Sequence, residues 1–248
     1  MLKRQPDCWL TRLYRRSFSG YSGQMTTILR AVTGSTAYGL AHSESDIDRL
    51  GVFVAPTLDV AGLSWHSSKE SNVSQGPGQD DWAEHEIGKY LRLALKVNPT
   101  ISEILWLPLV HYEVFTPEGR ALTEIRESFL SRRCVLDSYM GYAKSQLAKY
   151  RGNVQSTARD GLTSVKSARH CLRLVEQGRG LYMTGVLQPR VAKPQRYFDL
   201  AEMKPEQVLK VLTDAIDEWP TLYSPLPEKP DTDTVRDFLS DVRRNHME

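Results

Sequence analysis

The chain has 248 residues, a net charge of +2 and 40% hydrophobic residues, which is enough to bury the core of one large domain or two modest ones. So small a net charge excludes nucleic-acid binding by bulk electrostatics and leaves only local basic clusters for that role. No apolar run is long enough to span a bilayer, and Cys8, Cys134 and Cys171 are odd in number with no CxxC pair, which argues against a disulfide framework and a zinc site. A cytosolic protein with reduced thiols and no membrane partner is expected.

Residues 1–24 are strongly basic, with Asp7 as the single acid, and lack the apolar region of a secretory signal. They read as a basic N-terminal extension, either an arm for nucleic acid or upstream sequence without order. After Met25, TTILRAVTG predicts a first core strand running into a Gly34-Ser35 turn. A dozen residues on, Asp46 and Asp48 sandwich Ile47 on a strand that continues through Val54 and stops at Pro56, since proline cannot donate to a sheet ladder. Alternation places the two carboxylates side by side and points Ile47 the other way, into the core. The stretch 67–80, SSKESNVSQGPGQD, reads as a mobile surface loop.

From Asp81 the chain opens with acids and then repeats Ile87, Tyr90, Leu91, Ala94, Leu95 and Val97 at helical spacing, which predicts a helix ended by Asn98-Pro99. A second helix is expected over 100–106, and Thr116-Pro117-Glu118 predicts an N-cap opening a third through about Arg132. Beyond it, 135–150, 160–178, 205–218 and 232–244 all carry helical periodicity, with a proline-stiffened connector over 220–230 before the last. The organisation predicted is α+β: a basic extension (1–24), a mixed sheet with helices (25–125) and a mostly α-helical C-terminal region (126–248).

Two adjacent carboxylates repel unless a cation sits between them, and hard oxygen ligands suit Mg2+, which keeps coordination positions open for substrate phosphates. Gly34-Ser35 offers exposed backbone N–H groups and a hydroxyl, a phosphate cradle if a helix follows through Tyr38 to Ala41. If 81–86 is extended, Asp81 shares a face with Ala83 and His85, and Glu84 and Glu86 face the other way. His85-Glu86 lacks the second histidine of HExxH, so a zinc protease is discarded. Lys89, Arg92 and Lys96 form one basic helical stripe; Arg92 and Lys96 read as a solvated face, and Lys89, nearest the acids, as a phosphate contact. Lys166, His170 and Arg173 form a second stripe.

The segment GSTAYGLAHSESDIDRLGVFVAP resembles the signature of the DNA polymerase beta-like nucleotidyltransferase superfamily, and specifically its branch associated with RNA repair. HEIGKYLRLALKVNPTISEILWLP and KSARHCLRLVEQGRGLYMTG resemble that branch's second and C-terminal blocks, so the likeness spans most of 25–190. Arg49-Leu50 departs from the pattern, which has an apolar residue first and a basic one second. The resemblance implies transfer of a nucleoside monophosphate from an NTP such as ATP to a hydroxyl of RNA, protein or a small molecule. It implies two Mg2+ ions, with Mn2+ as a substitute, held by Asp46, Asp48 and a third acid placed at Asp81, with Glu84 and Glu86 as rivals. It implies nucleotide contacts from Gly34, Ser35, Tyr38, Lys89, Lys166, His170 and Arg173. The competing expectation is a non-catalytic nucleotide- or RNA-binding module of the same fold.

Overall fold

The computed structural model describes residues 24–43, 45–63, 65, 70–74, 81–155, 161–219 and 222–247. The expected basic extension therefore lies outside the described residues except for Gln24, as do 67–69 and 75–80 of the expected loop and Pro220 and Thr221 of the connector. Strand β1 (Thr26–Val32) runs into a one-turn helix, α1 (Gly34–Tyr38), followed by β2 (Asp48–Val54). After α2 (Thr57–Ala61) come β3 (Ser71–Ser74), β4 (Asp81–Glu86) and α3 (Ile87–Ala94). Then follow α4 (Pro99–Ser102), a 3-10 turn (Glu103–Trp106), β5 (Tyr112–Phe115) and α5 (Pro117–Glu124). The five strands form one sheet in the order β3-β4-β2-β1-β5. All its pairs are antiparallel except β2 with β4, which run parallel with Asp48 opposite Asp81 and Phe53 opposite Glu86.

Several expectations change here. Residues 81–86, weighed as extended, do extend along β2, and the helix begins at Ile87, the first of its apolar repeats, and ends at Ala94, short of Asn98-Pro99. The helix expected from Thr116 starts as read, with the Thr116 hydroxyl accepting from the Gly119 N–H at 3.2 Å. It stops at Glu124, however, and a 3-10 turn (Arg126–Phe129) separates it from the next helix. Ser71–Ser74, inside the expected loop, pairs with β4 as an edge strand. Asp46 and Ile47 precede the ladder, and Ile47 is 40% exposed rather than in the core. The reason is parity: the buried Leu50, Val52 and Val54 alternate with Asp48, so the core lies on the aspartate's own face.

That core gathers Ile28, Leu29, Ala31, Leu50, Val52 and Val54 from the sheet against Ile87, Tyr90, Leu91, Ile104 and Leu122. A second core belongs to the helices α6 (Arg132–Gln155), α7 (Gly161–Thr184), α8 (Pro194–Asp199) and α9 (Pro205–Asp217). Here α6 and α7 form an antiparallel hairpin: the Cys171 thiol reaches the Ala143 carbonyl at 3.3 Å, and Gly178 lies against Tyr139. A Cβ on Gly178 would fall 2.3 Å from Trp219 and 2.6 Å from Tyr139, so the absence of a side chain lets three elements meet. The last helix, α10 (Thr232–Asn245), packs Val235 and Val242 into the sheet's core rather than among the other helices. Its Arg243 bonds Glu86 at 2.6 Å and the Ala55 carbonyl at 3.2 Å. Cys134 and Cys171 are free thiols, and no described helix is long and apolar enough to cross a membrane.

Candidate active site

The site grows out of the junction between β1 and α1. At the end of β1 the Thr33 N–H donates to the Asp48 carbonyl at 2.9 Å, which sets the backbone of β2 beside the turn. Gly34 then takes φ +63°, and a Cβ there would lie 1.9 Å from Asp48 Oδ2, so the carboxylate occupies the space a side chain would fill. The Ser35 backbone N–H donates to that carboxylate. Gly39, at φ +73°, ends α1, its N–H reaching the Ser35 and Thr36 carbonyls. The expected turn followed by a helix through Ala41 is thus more compact: the helix begins at Gly34 itself and is over by Tyr38.

Asp48 is half-buried, and its carboxyl is pushed above the usual range first by burial and next by the charge of Asp81, with Asp46 adding to the rise. Lys166, reaching in from α7, and the Ser35 N–H pull the other way. Asp81 lies opposite Asp48 in the ladder, and Asp46, Asp81 and a lysine from the helical half are each felt at the Asp48 carboxyl beside the Gly34-Ser35 turn. Their chemistry suits a hard divalent cation, since each carboxylate raises the cost of ionising the next. Among the described residues no three His, Cys, Asp or Glu side chains converge closely enough to enclose an ion.

The other acids have different work. Glu84 is buried and accepts from Arg30 Nη2 at 2.6 Å, Arg30 Nε at 2.8 Å and the Thr27 hydroxyl at 3.3 Å. Arg30 and Glu84 flank Gly51 in register on the adjoining strands, and the missing side chain at Gly51 leaves the path over which they meet. Glu86 caps α3, accepting from the Gly88 N–H at 2.7 Å, and pairs with Arg243. Both point away from Asp81, as alternation along β4 requires.

The predicted basic residues separate. Lys89 donates to the Ser71 hydroxyl at 2.8 Å, and Ser71 also bonds His85 Nδ1 at 2.7 Å. His85 lies four residues along β4 from Asp81, about 13 Å, so Lys89 is not brought to the acids. Arg92 pairs with Glu70 at 2.9 Å. Arg173, expected to face substrate, is 5% exposed. It stacks 3.9 Å above the Tyr38 ring, donates to Gln177 at 2.7 Å and lies 3.8 Å from Glu103. Tyr38 in turn donates its hydroxyl to Glu103 at 2.7 Å, so both side chains shape the turn from beneath. His170 packs edge-on against Tyr142, and burial, with the nearby cations Arg173, Lys149 and Lys166, pushes its ring down to about 3.

Glu103 was missed. It is 2% exposed, accepts from the Gly34 N–H as well as from Tyr38, and burial pushes its carboxyl up to about 7 despite Arg173. Its signal in the sequence is one acid inside an otherwise apolar helical stretch, ISEILW, which needs a buried partner.

A five-stranded mixed sheet whose glycine-serine turn and aspartate strand stand against a helical C-terminal region is the α+β class expected from the motifs. The chain belongs to the RNA repair pathway DNA polymerase beta family (RlaP), whose model matches residues 15–215. That match takes in residues 15–24 of the basic extension and runs past the blocks quoted above. An uncharacterized 38.9 kDa protein of the nrdC-mobD intergenic region of Enterobacteria phage T4 is 28% identical over 150 residues, covering 57% of this chain. The chain spans 44% of the length of that phage protein. A nucleotidyltransferase-like protein from Exiguobacterium sibiricum 255-15 of known crystal structure aligns over 96% of this chain and 81% of its own at 12% identity, with a TM-score of 0.35.

Proposed function

We propose that the protein is a divalent-metal-dependent nucleotidyltransferase that moves a nucleoside monophosphate from an NTP to a hydroxyl acceptor. The observation that carries this reading is the grouping of Asp46, Asp48 and Asp81 beside the Gly34-Ser35 turn, with Lys166 approaching from α7. Asp46, Asp48 and Asp81 would hold Mg2+, which when bound would neutralise the triphosphate and lower the pKa of the attacking hydroxyl. The Ser35 hydroxyl, which has no partner among the described residues, would donate to a phosphate oxygen, and Lys166 would add a positive charge near Asp48. In the reaction the acceptor oxygen forms a bond to the α-phosphorus and the bond to the leaving pyrophosphate breaks. The hydroxyl proton passes to a neighbouring carboxylate, for which Asp81 is placed, or to water.

The test is label transfer from each α-labelled NTP in Mg2+, with and without total RNA. Replacing both Asp46→Asn and Asp48→Asn is expected to lower transfer by roughly a thousandfold or more while leaving the thermal midpoint close to wild type. Transfer that survives the double substitution would remove the metal assignment. NTP binding without transfer to any acceptor would mark a binding module instead.

A further inference from the structure

We propose that the groove between α6 and α7 beside the acids holds the single-stranded end of a nucleic-acid acceptor, gripping its phosphates and stacking a base. The groove has a volume of about 490 Å3 and is lined by Tyr142, Gln146, Lys149, Asn153, Lys166 and His170, together with Ser167. Small-molecule sites span about 300–1,000 Å3, so the space accommodates a nucleotide. The lining carries no acid. Neither Lys149 nor Lys166 has an acid within ion-pair distance among the described residues, and both are exposed.

The two lysines lie one on each helix, as rails for a polyanion that tracks the hairpin. Gln146 and Asn153 lie one turn to either side of Lys149 along α6, as amides able to read a sugar hydroxyl or a base edge. Tyr142 supplies the aromatic surface: it is partly buried and fixed edge-on against His170, with ring centroids 5.0 Å apart. His170 Nε2 is buried with no hydrogen-bond partner, an unmet demand within the groove wall. Paired cations interleaved with an aromatic and neutral amides form the surface that single strands use, where backbone charge and base stacking act together.

Lys166 connects the two sites, lining the groove while its charge is felt at Asp48. A strand seated along Lys166 would direct its end toward Asp48. This proposal rests on the nucleotidyltransferase reading for the strand's role as acceptor, but not for its binding.

Binding is read without catalysis, by fluorescence anisotropy of end-labelled 12-mer RNA and DNA of one sequence in EDTA. Lys149→Ala and Tyr142→Ala are each expected to weaken oligonucleotide binding about five- to tenfold or more. The salt slope for Lys149→Ala is expected to fall by about one. Lys144→Ala, an exposed lysine of α6 outside the groove, serves as control and leaves binding unchanged. NTP affinity measured in Mg2+ stays at the wild-type value in all three. A preference for RNA over DNA would place a 2′-hydroxyl contact in the groove, and equal affinity would assign recognition to phosphate and base; both support it. Wild-type oligonucleotide binding in Lys149→Ala, binding of neither strand, or a loss of NTP affinity in its place would overturn it. Because Lys149 is exposed, its substitution tests the groove even if Tyr142→Ala perturbs folding. Label transfer with no groove effect sinks this proposal alone, and groove binding without any transfer sinks only the catalytic one.

Discussion

Glu103 and His170 titrate in opposite senses across the same pH range. The Glu103 carboxyl is raised from 4.5 to about 7, so its folded form keeps a proton that the unfolded chain has lost. Stability is then fully present below pH 4.5 and declines as pH rises toward 7. The His170 ring is lowered from 6.5 to about 3, so the unfolded chain gains a proton first and stability declines as pH falls from 6.5. Between pH 4.5 and 6.5 the two slopes oppose each other. Glu103→Gln is expected to lose on the order of 2 kcal/mol on acidification across that window, and His170→Gln to gain a similar amount. Urea midpoints at pH 4.5 and 6.5 check both signs. Of these residues, His170 was singled out because it shares a helical stripe with Lys166 and Arg173. Glu103 was not, because its hydroxyl partner Tyr38 lies 65 residues away and no local pattern joins them.

At the scale of elements, α1 is set by one residue. Gly34→Ala must adopt φ +63° and displace the Asp48 carboxylate, at a cost of about 1–2 kcal/mol for the backbone alone. Its melting midpoint is expected to fall by about 2–8 °C, and label transfer to fall further than that loss of folded protein explains, because Asp48 moves. The turn and the aspartate strand could be read from the sequence since both are written in local spacing. Strand β4 could not be separated from the helix that follows it. Its core-facing row is Asp81, Ala83 and His85, without apolar alternation, and what makes it a strand is pairing with β2 across the chain. Strands β3 and β5, at four residues each, are shorter than the periodicity that would reveal them.

The whole molecule has two cores, and Tyr38 and Trp106 pack against both. Between them Arg173 is sandwiched by the Tyr38 ring and Glu103, while the Val191 N–H donates to the Tyr38 carbonyl at 3.0 Å. The turn bearing the candidate phosphate site is therefore clamped by both halves. Above pH 7, where the Glu103 carboxyl is ionised, Arg173→Met removes the cation that opposes it, an expected loss of about 3 kcal/mol. Adding Glu103→Gln should restore most of it, a coupling that a double-mutant cycle in urea measures. The α+β class and the helical second half were legible as composition and periodicity. The return of α10 to the sheet was not, since an amphipathic helix does not announce which core it will cover.

That return has a consequence for how the protein is made. Arg243 closes onto Ala55 across 188 residues, and the helical hairpin is synthesised in between. At about 5–20 residues per second, a nascent chain spends roughly ten to forty seconds with β2 emerged and α10 not yet translated. During that interval Glu86 lacks its arginine and the sheet's core lacks Val235 and Val242. The sheet's core is therefore expected to close only once α10 is made, after the helical hairpin, whose contacts lie nearer in sequence.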